Sequence, residues 1–337
     1  MKLLHELLMF PYMWQALISS CFTLGLVWLL LRCFKLHEEP SLVWPYYLPF
    51  FVPLLLPIKS MGGGFHCGFW GPFSMLLNQG KSGNSLVMVG ILICLLPLFV
   101  TFLHGGLSFF AYRRFIKGCR LVTETEATEL FGIIKALVRQ ARIPLPEVYI
   151  SPASRGVQLF VCGTRKRRLI ISPQLLEALP SGELQAILAH EMAHLSRHDQ
   201  IVSWVLILLR SLMFYNPLFY YLDKRLKQKR EKAADALASS WIEKPKTLAT
   251  GLLRVTKLAL KENRVFQGRF FPSAGLSSGD FLEERIRLLM DSKRTNPDYG
   301  IWILSFGILF LIIELLFNFI LLLPLCQRIP CGLMLIH

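Results

Sequence analysis

Acidic residues are scarce in this chain. Asp and Glu number 22 against 37 Lys and Arg, giving a formal net charge of +15 over 337 residues. The eight cysteines include no CxxC pair and form no disulfide framework. Cys21 and Cys94 lie in apolar runs, and Cys326 and Cys331, near the end, could pair in an oxidising compartment, though nothing in the sequence requires it. There is no internal repeat and no low-complexity tract. The basic clusters at 165–168 and 224–232 lack interleaved aromatic residues, so direct nucleic-acid binding is not expected, and anionic lipid headgroups suit them better. No small-residue cleavage site follows the first apolar run, which therefore reads as an anchor rather than a removable signal.

What the chain has is apolarity: 53% of its residues are hydrophobic, too many for an ordinary soluble protein. Residues 12–31 and 86–103 carry no charge, and 301–325 carries only Glu314. Each can cross about 30 Å of hydrocarbon as a helix. Residues 42–58 form a fourth candidate, with Pro45, Pro49, Pro53 and Pro57 at every fourth position. Membrane helices tolerate proline better than soluble ones. The expected fold is an α-helical membrane protein of about four transmembrane helices (12–31, 42–58, 86–111 and 301–325) with an α+β domain, 113–300, inserted before the last. A tail follows over 326–337. Arg113, Arg114, Lys117 and Arg120 follow the third span, and Lys293 and Arg294 precede the last, so the inserted domain is expected on the cytoplasmic side of a bacterial plasma membrane.

The chemistry lies in that domain, in LPSGELQAILAHEMAHLSRHDQ. Ser181 suits an N-cap and Glu183 a first turn. On the helix that follows, His190 and His194 stand one turn apart and face one point, with Glu191 beside them. This is the zinc-peptidase arrangement, in which two neutral nitrogens hold Zn2+ and a carboxylate serves as base. A third ligand is needed. Arg197 and Gln200 occupy the places where a metzincin has glycine and histidine, and His198 is too far along to share a tetrahedron with His190. Asp199 is expected on a basic neighbour or a backbone group. Glu231, in REKAADALA, completes the gluzincin pattern, with Asp235 one turn later to hydrogen-bond a ligand histidine. Arg285 and Tyr220 are candidate oxyanion or substrate contacts. Strands are expected at 147–150, 157–162 and 168–172, the last two as a hairpin about GTRKR. An exposed edge of that sheet suits an extended peptide.

One run complicates the picture. Residues 201–222 are long and apolar enough to span, yet one crossing would separate His190 from Glu231 by the membrane. Asn216-Pro217 and Arg210 within the run favour a bent, membrane-associated helical hairpin that leaves and returns.

AILAHEMAHLSRHD, FYNPLFYYL and REKAADALA together resemble the BlaR/MecR family of membrane zinc peptidases, the antirepressor transducers of beta-lactam resistance. The resemblance implies four spans with the peptidase domain before the last, zinc held by His190, His194 and Glu231, Glu191 as base, and Asp235 supporting a ligand. It implies a protein or peptide substrate, a transcriptional repressor among the options, and membrane lipids as partners; a homo-oligomer is left open. Family members with a sensor carry a penicillin-binding domain after the last span. Only about a dozen residues follow 325 here, so the chain is expected not to sense beta-lactams by acylation. Two alternatives remain: an HtpX- or CAAX-protease-like peptidase, which would share the late LEERIRLL stretch, and a catalytically idle receptor or scaffold.

Overall fold

The computed structural model describes residues 11–33, 43–49, 85–163, 166–214, 216–261 and 279–291, together with 309, 310, 312, 313 and 316. The chain divides into two compact units: Met1–Val100, Leu209–Leu226 and Thr295–His337 form one, and Thr101–Leu208 with Lys227–Arg294 form the other.

In the first unit, helix α1 (Pro11–Cys33) is apolar along its length, with Arg32 in its last turn. Its Val27, Leu30 and Leu31 pack with Phe310, Tyr46 and Leu48. Two of the buried hydroxyls on α1 are hydrogen-bonded. Thr23 Oγ1 donates to the Ser19 carbonyl at 2.7 Å. Asn216 Nδ2 donates to Ser20 Oγ at 3.1 Å. Residues 44–47 form a 3-10 turn led by Pro45. Residues 50–58, most of 301–325 and the 326–337 tail, with Cys326 and Cys331, lie outside the described residues.

Helix α2 (Ser85–Lys117) contains the third expected span and continues through its basic flank, so Arg113, Arg114 and Lys117 sit on the helix itself. Its Leu95–Lys117 portion is long and apolar enough to cross a membrane. Phe99, Phe102 and Phe110 stay exposed on it. A helix serving a water-soluble core would bury them.

The second unit is built on a four-stranded sheet, β1 (Arg120–Leu121), β2 (Glu147–Ile150), β3 (Leu159–Cys162) and β4 (Arg168–Ile171), in the order β1-β2-β4-β3. The pair β2–β4 is parallel and the other two are antiparallel. The β3–β4 hairpin forms where the sequence predicts it, each strand slightly shorter than expected, and β3 is an edge. Its turn depends on Gly163, at φ +91°, where a Cβ would stand 2.0 Å from the Lys166 carbonyl oxygen. The very short β1 lacks any sequence pattern and was not foreseen.

Helices α3 (Thr128–Ala141), α4 (Pro173–Ala178), α5 (Ser181–Ser196), α8 (Pro245–Lys261) and α9 (Gly279–Met290) complete the domain. Leu169, Ile171, Ile134, Leu188 and Leu248 share its buried core. Helix α5 is covered on nearly every side. Gly251 lets α8 approach it closely, since a Cβ there would come within 3.0 Å of Ile187. The expected Ser181 cap is corrected: Pro180 holds the N-cap position and Ser181 is the first helical residue. Proline's preset φ starts the helix without a side-chain cap. Glu183 does lie in the first turn, where Arg254 Nε reaches it at 2.7 Å.

The apolar run resolves into α6 (Asp199–Leu212) and α7 (Leu218–Ile242). Between them Asn216 Oδ1 accepts the Leu218 N–H at 3.1 Å, so the Asn-Pro pair ends one helix and caps the next. Arg210 and Asp223 face each other across this bend at 3.7 Å. Helix α6 starts earlier than the apolar run, and α7 is longer than a short hairpin arm, continuing through Glu231 and Asp235.

Candidate metal centre

Two helices of the second unit supply the candidate donors. Helix α5 contributes His190 and His194 on one face, and α7 contributes Glu231. The two Nε2 atoms are 3.1 Å apart. Glu231 Oε2 is 3.6 Å from His190 Nε2, and Oε1 is 3.7 Å from His194 Nε2. Donors about 2.0–2.2 Å from one tetrahedral zinc lie about 3.3–3.6 Å from one another. The observed separations bracket that range, and a His-His-carboxylate set is a zinc donor set, so these residues fit the metal.

The surroundings orient the donors. Asp235 Oδ1 lies 2.9 Å from His190 Nδ1. Asp199 Oδ2 lies 2.7 Å from His194 Nδ1. His194 Nδ1 is hydrogen-bonded to its buried carboxylate, which fixes its ring and tautomer, and His190 Nδ1 lies beside Asp235, so that each Nε2 faces the candidate ligand cluster. His198 makes the second pairing possible. It adopts the left-handed conformation at φ 56° and is exposed, ending α5 and turning the chain so that Asp199 folds back on His194. Asp199 also meets a basic neighbour, Arg197, at 3.4 Å.

Arg285, a candidate contact that could also be structural, is placed against carboxylates. Its guanidinium is buried among carboxylates: Nε and an amino nitrogen bind Asp235 at 2.6 and 2.7 Å, and the other amino nitrogen meets Glu231 Oε2 at 2.9 Å. This is a bidentate clamp on Asp235 with one further contact to the candidate ligand Glu231. Tyr220 is not among the residues gathered here. It lies in the first turn of α7, in the other unit, with its ring against Arg210.

Electrostatics follow from this packing. Burial works to lower the His190 pKa, but Asp235 and Glu231 outweigh it and push it up to about 10 in the metal-free protein. Burial pushes the Glu231 and Asp235 carboxyls up, and Arg285 outweighs it, holding both below their ordinary values. Glu191 is raised by burial, with the two histidines pulling the other way, and its carboxylate accepts the Val161 N–H of β3. Just before β3 and just after β4, the Gln158 carbonyl accepts the Ser172 N–H. The antiparallel register then turns Phe160 and Cys162 toward β4, and Leu159 and Val161 toward the outer edge.

Comparison with known proteins bears on the family of the chain. The BlaR1 peptidase M56 family profile matches residues 74–267. The regulatory protein BlaR1 of Bacillus licheniformis is 24% identical over 248 residues, covering 69% of this chain and 38% of that protein. A protease HtpX homolog of Acaryochloris marina is 29% identical over 128 residues, 37% of this chain and 41% of its own. One from Thermodesulfovibrio yellowstonii is 30% identical over 108 residues, 30% of this chain and 38% of its own. The chain thus spans well under half the length of each relative. Because the profile covers more than half of the sequence and includes both motifs, the chain belongs to the BlaR1 peptidase M56 family.

Proposed function

We propose that the protein is a membrane-anchored, zinc-dependent endopeptidase that cuts a cytoplasmic or membrane-proximal protein in a signalling pathway of the antirepressor kind. The observation that carries this is the convergence of His190, His194 and Glu231 beside Glu191. Zinc, when bound, supplies a Lewis acid for the scissile carbonyl. Glu191 takes a proton from the attacking water and returns it to the leaving amine. Its raised pKa suits both transfers. The outer edge of β3 offers the Leu159 backbone groups and the Val161 carbonyl to an extended substrate strand, the Val161 N–H being held by Glu191. The similarity to BlaR1 along 69% of the chain, against 37% for the HtpX homolog, favours a signalling substrate such as a repressor over a quality-control one.

The separation of His190 from Glu231 also supports one sidedness for the site. With 3.6 Å between them, the segment joining them must leave and return on one side of the bilayer. Ile201, Trp204, Val205 and Leu208 form an exposed apolar stripe on α6, and Trp204 meets Gly105 of α2. Such a stripe, beside a lipid-facing helix, suits a hairpin dipping into the membrane.

The test uses full-length protein in detergent. One zinc per chain is expected, lost in His190→Ala and Glu231→Ala. Glu191→Gln should keep the metal and stop hydrolysis of a quenched fluorescent peptide mixture. Unchanged zinc in both ligand variants would remove the metal assignment. Wild-type hydrolysis by Glu191→Gln would remove Glu191 as the base. Zinc binding without hydrolysis in the unaltered protein would favour the receptor reading.

A further inference from the structure

Arg230 precedes Glu231 on α7 and is 4% exposed. One of its nitrogens, NH1, donates to Ser203 Oγ at 2.6 Å and to the Asp199 carbonyl at 3.2 Å. Ser203 Oγ in turn donates to that carbonyl at 2.8 Å. The three residues close a triangle that fastens the first turn of α6 to α7 immediately before the third candidate ligand. Asp199, in the triangle, is the residue that holds His194 Nδ1.

Burying a guanidinium against a carbonyl and a hydroxyl is a costly way to fill space, and an apolar side chain would do so more cheaply. What the guanidinium adds is position. Helix α7 has no hydrogen-bonded ladder to α5, and a slip of one residue would carry Glu231 about 1.5 Å along the axis and turn it by about 100°. A tether at the adjacent residue opposes that slip. Its far end holds the carboxylate that orients His194.

We infer that Arg230 is a positioning residue for the metal centre: through Ser203 and Asp199 it sets Glu231 and His194 in one register, so that disturbing the α6–α7 clasp loosens both donors at once. This rests on the reading of His190, His194 and Glu231 as metal ligands. The clasp is unlike the Arg285 clamp, which grips the carboxylates themselves.

Both bonds leave from one nitrogen, and Arg230 Nε has no hydrogen-bond partner among the described residues. A lysine ammonium can therefore replace the contacts, whereas methionine keeps the bulk and loses them. In full-length protein, zinc affinity measured by chelator competition should fall about 10–100-fold in Arg230→Met and stay within about threefold of the unaltered value in Arg230→Lys. Ser203→Ala, which removes little volume, should also weaken zinc binding. The visible bands of the cobalt(II)-loaded protein should change in Arg230→Met and return in Arg230→Lys. Metal-free melting is read alongside. Unaltered zinc affinity and cobalt spectrum in Arg230→Met would overturn the inference. So would equal weakening in the Met and Lys variants together with a lowered metal-free melting temperature, which would make Arg230 a packing residue. If His190→Ala keeps its zinc, the ligand assignment has failed instead.

Discussion

Replacing Arg285 by alanine tests whether the ligand cluster is held by charge. The arginine is 3% exposed, Asp235 5% and Glu231 18% at their side chains. Water can compensate little of what is lost, and the change leaves two buried carboxylates facing each other. Breaking a buried ion pair from one side costs about 3–5 kcal/mol. For a domain of this size that is about 6–20 °C in melting temperature. The control is Arg287→Ala on the same helix, whose partner Glu283 is 3.3 Å away but whose side chains are 73% and 81% exposed. Such a pair contributes about 0–1 kcal/mol. Circular dichroism melts of the full-length protein in detergent would compare the two, metal-free and zinc-loaded. The Arg285→Ala loss should shrink with zinc, because a dication among the carboxylates replaces the missing charge. Acid adds a further check. A carboxyl held low, like Glu231, contributes stability present above its ordinary value of 4.5 and lost as pH falls below it toward the folded value. Without Arg285 that contribution disappears, so the two melting curves should draw together below about pH 4. A loss no larger than that of Arg287→Ala, or one independent of zinc and pH, would refute the reasoning.

Two further outcomes are expected. With His190 at about 10 in the metal-free protein, zinc capture at neutral pH must displace its proton, so apparent affinity should rise about tenfold per pH unit between 7 and 9; calorimetry in buffers of different ionisation enthalpy should find that proton, and a flat profile would contradict the assignment. Single cysteines at Ser181 and Ser240, both exposed, should be protected together from an impermeant thiol reagent added outside intact cells; labelling of Ser240→Cys alone would end the returning-hairpin topology.

The donor set was legible in the sequence because one helical turn separates His190 from His194, and ExxxD repeats that spacing for Glu231 and Asp235. Local geometry alone places such pairs on one face. The β3–β4 hairpin was legible for the same reason: two apolar runs about a glycine-bearing turn. The break at Asn216-Pro217 was readable from proline's effect on the preceding residue. No local pattern marked Asp199, Ser203 and Arg230 as a clasp. Arg230 reads as one more cation in a basic run, and Ser203 as a polar interruption of an apolar one. Their partners are 27 and 31 residues apart in the chain and meet only because α6 and α7 fold together. Arg285 reads in the sequence only as a candidate contact, since sequence cannot say whether a guanidinium faces a substrate or a carboxylate 50 residues away. The kinds of donor are set by side-chain chemistry and helical period, which act over one or two turns. Their register and protonation are set by burial and by charges from other helices, which exist only once the chain is packed.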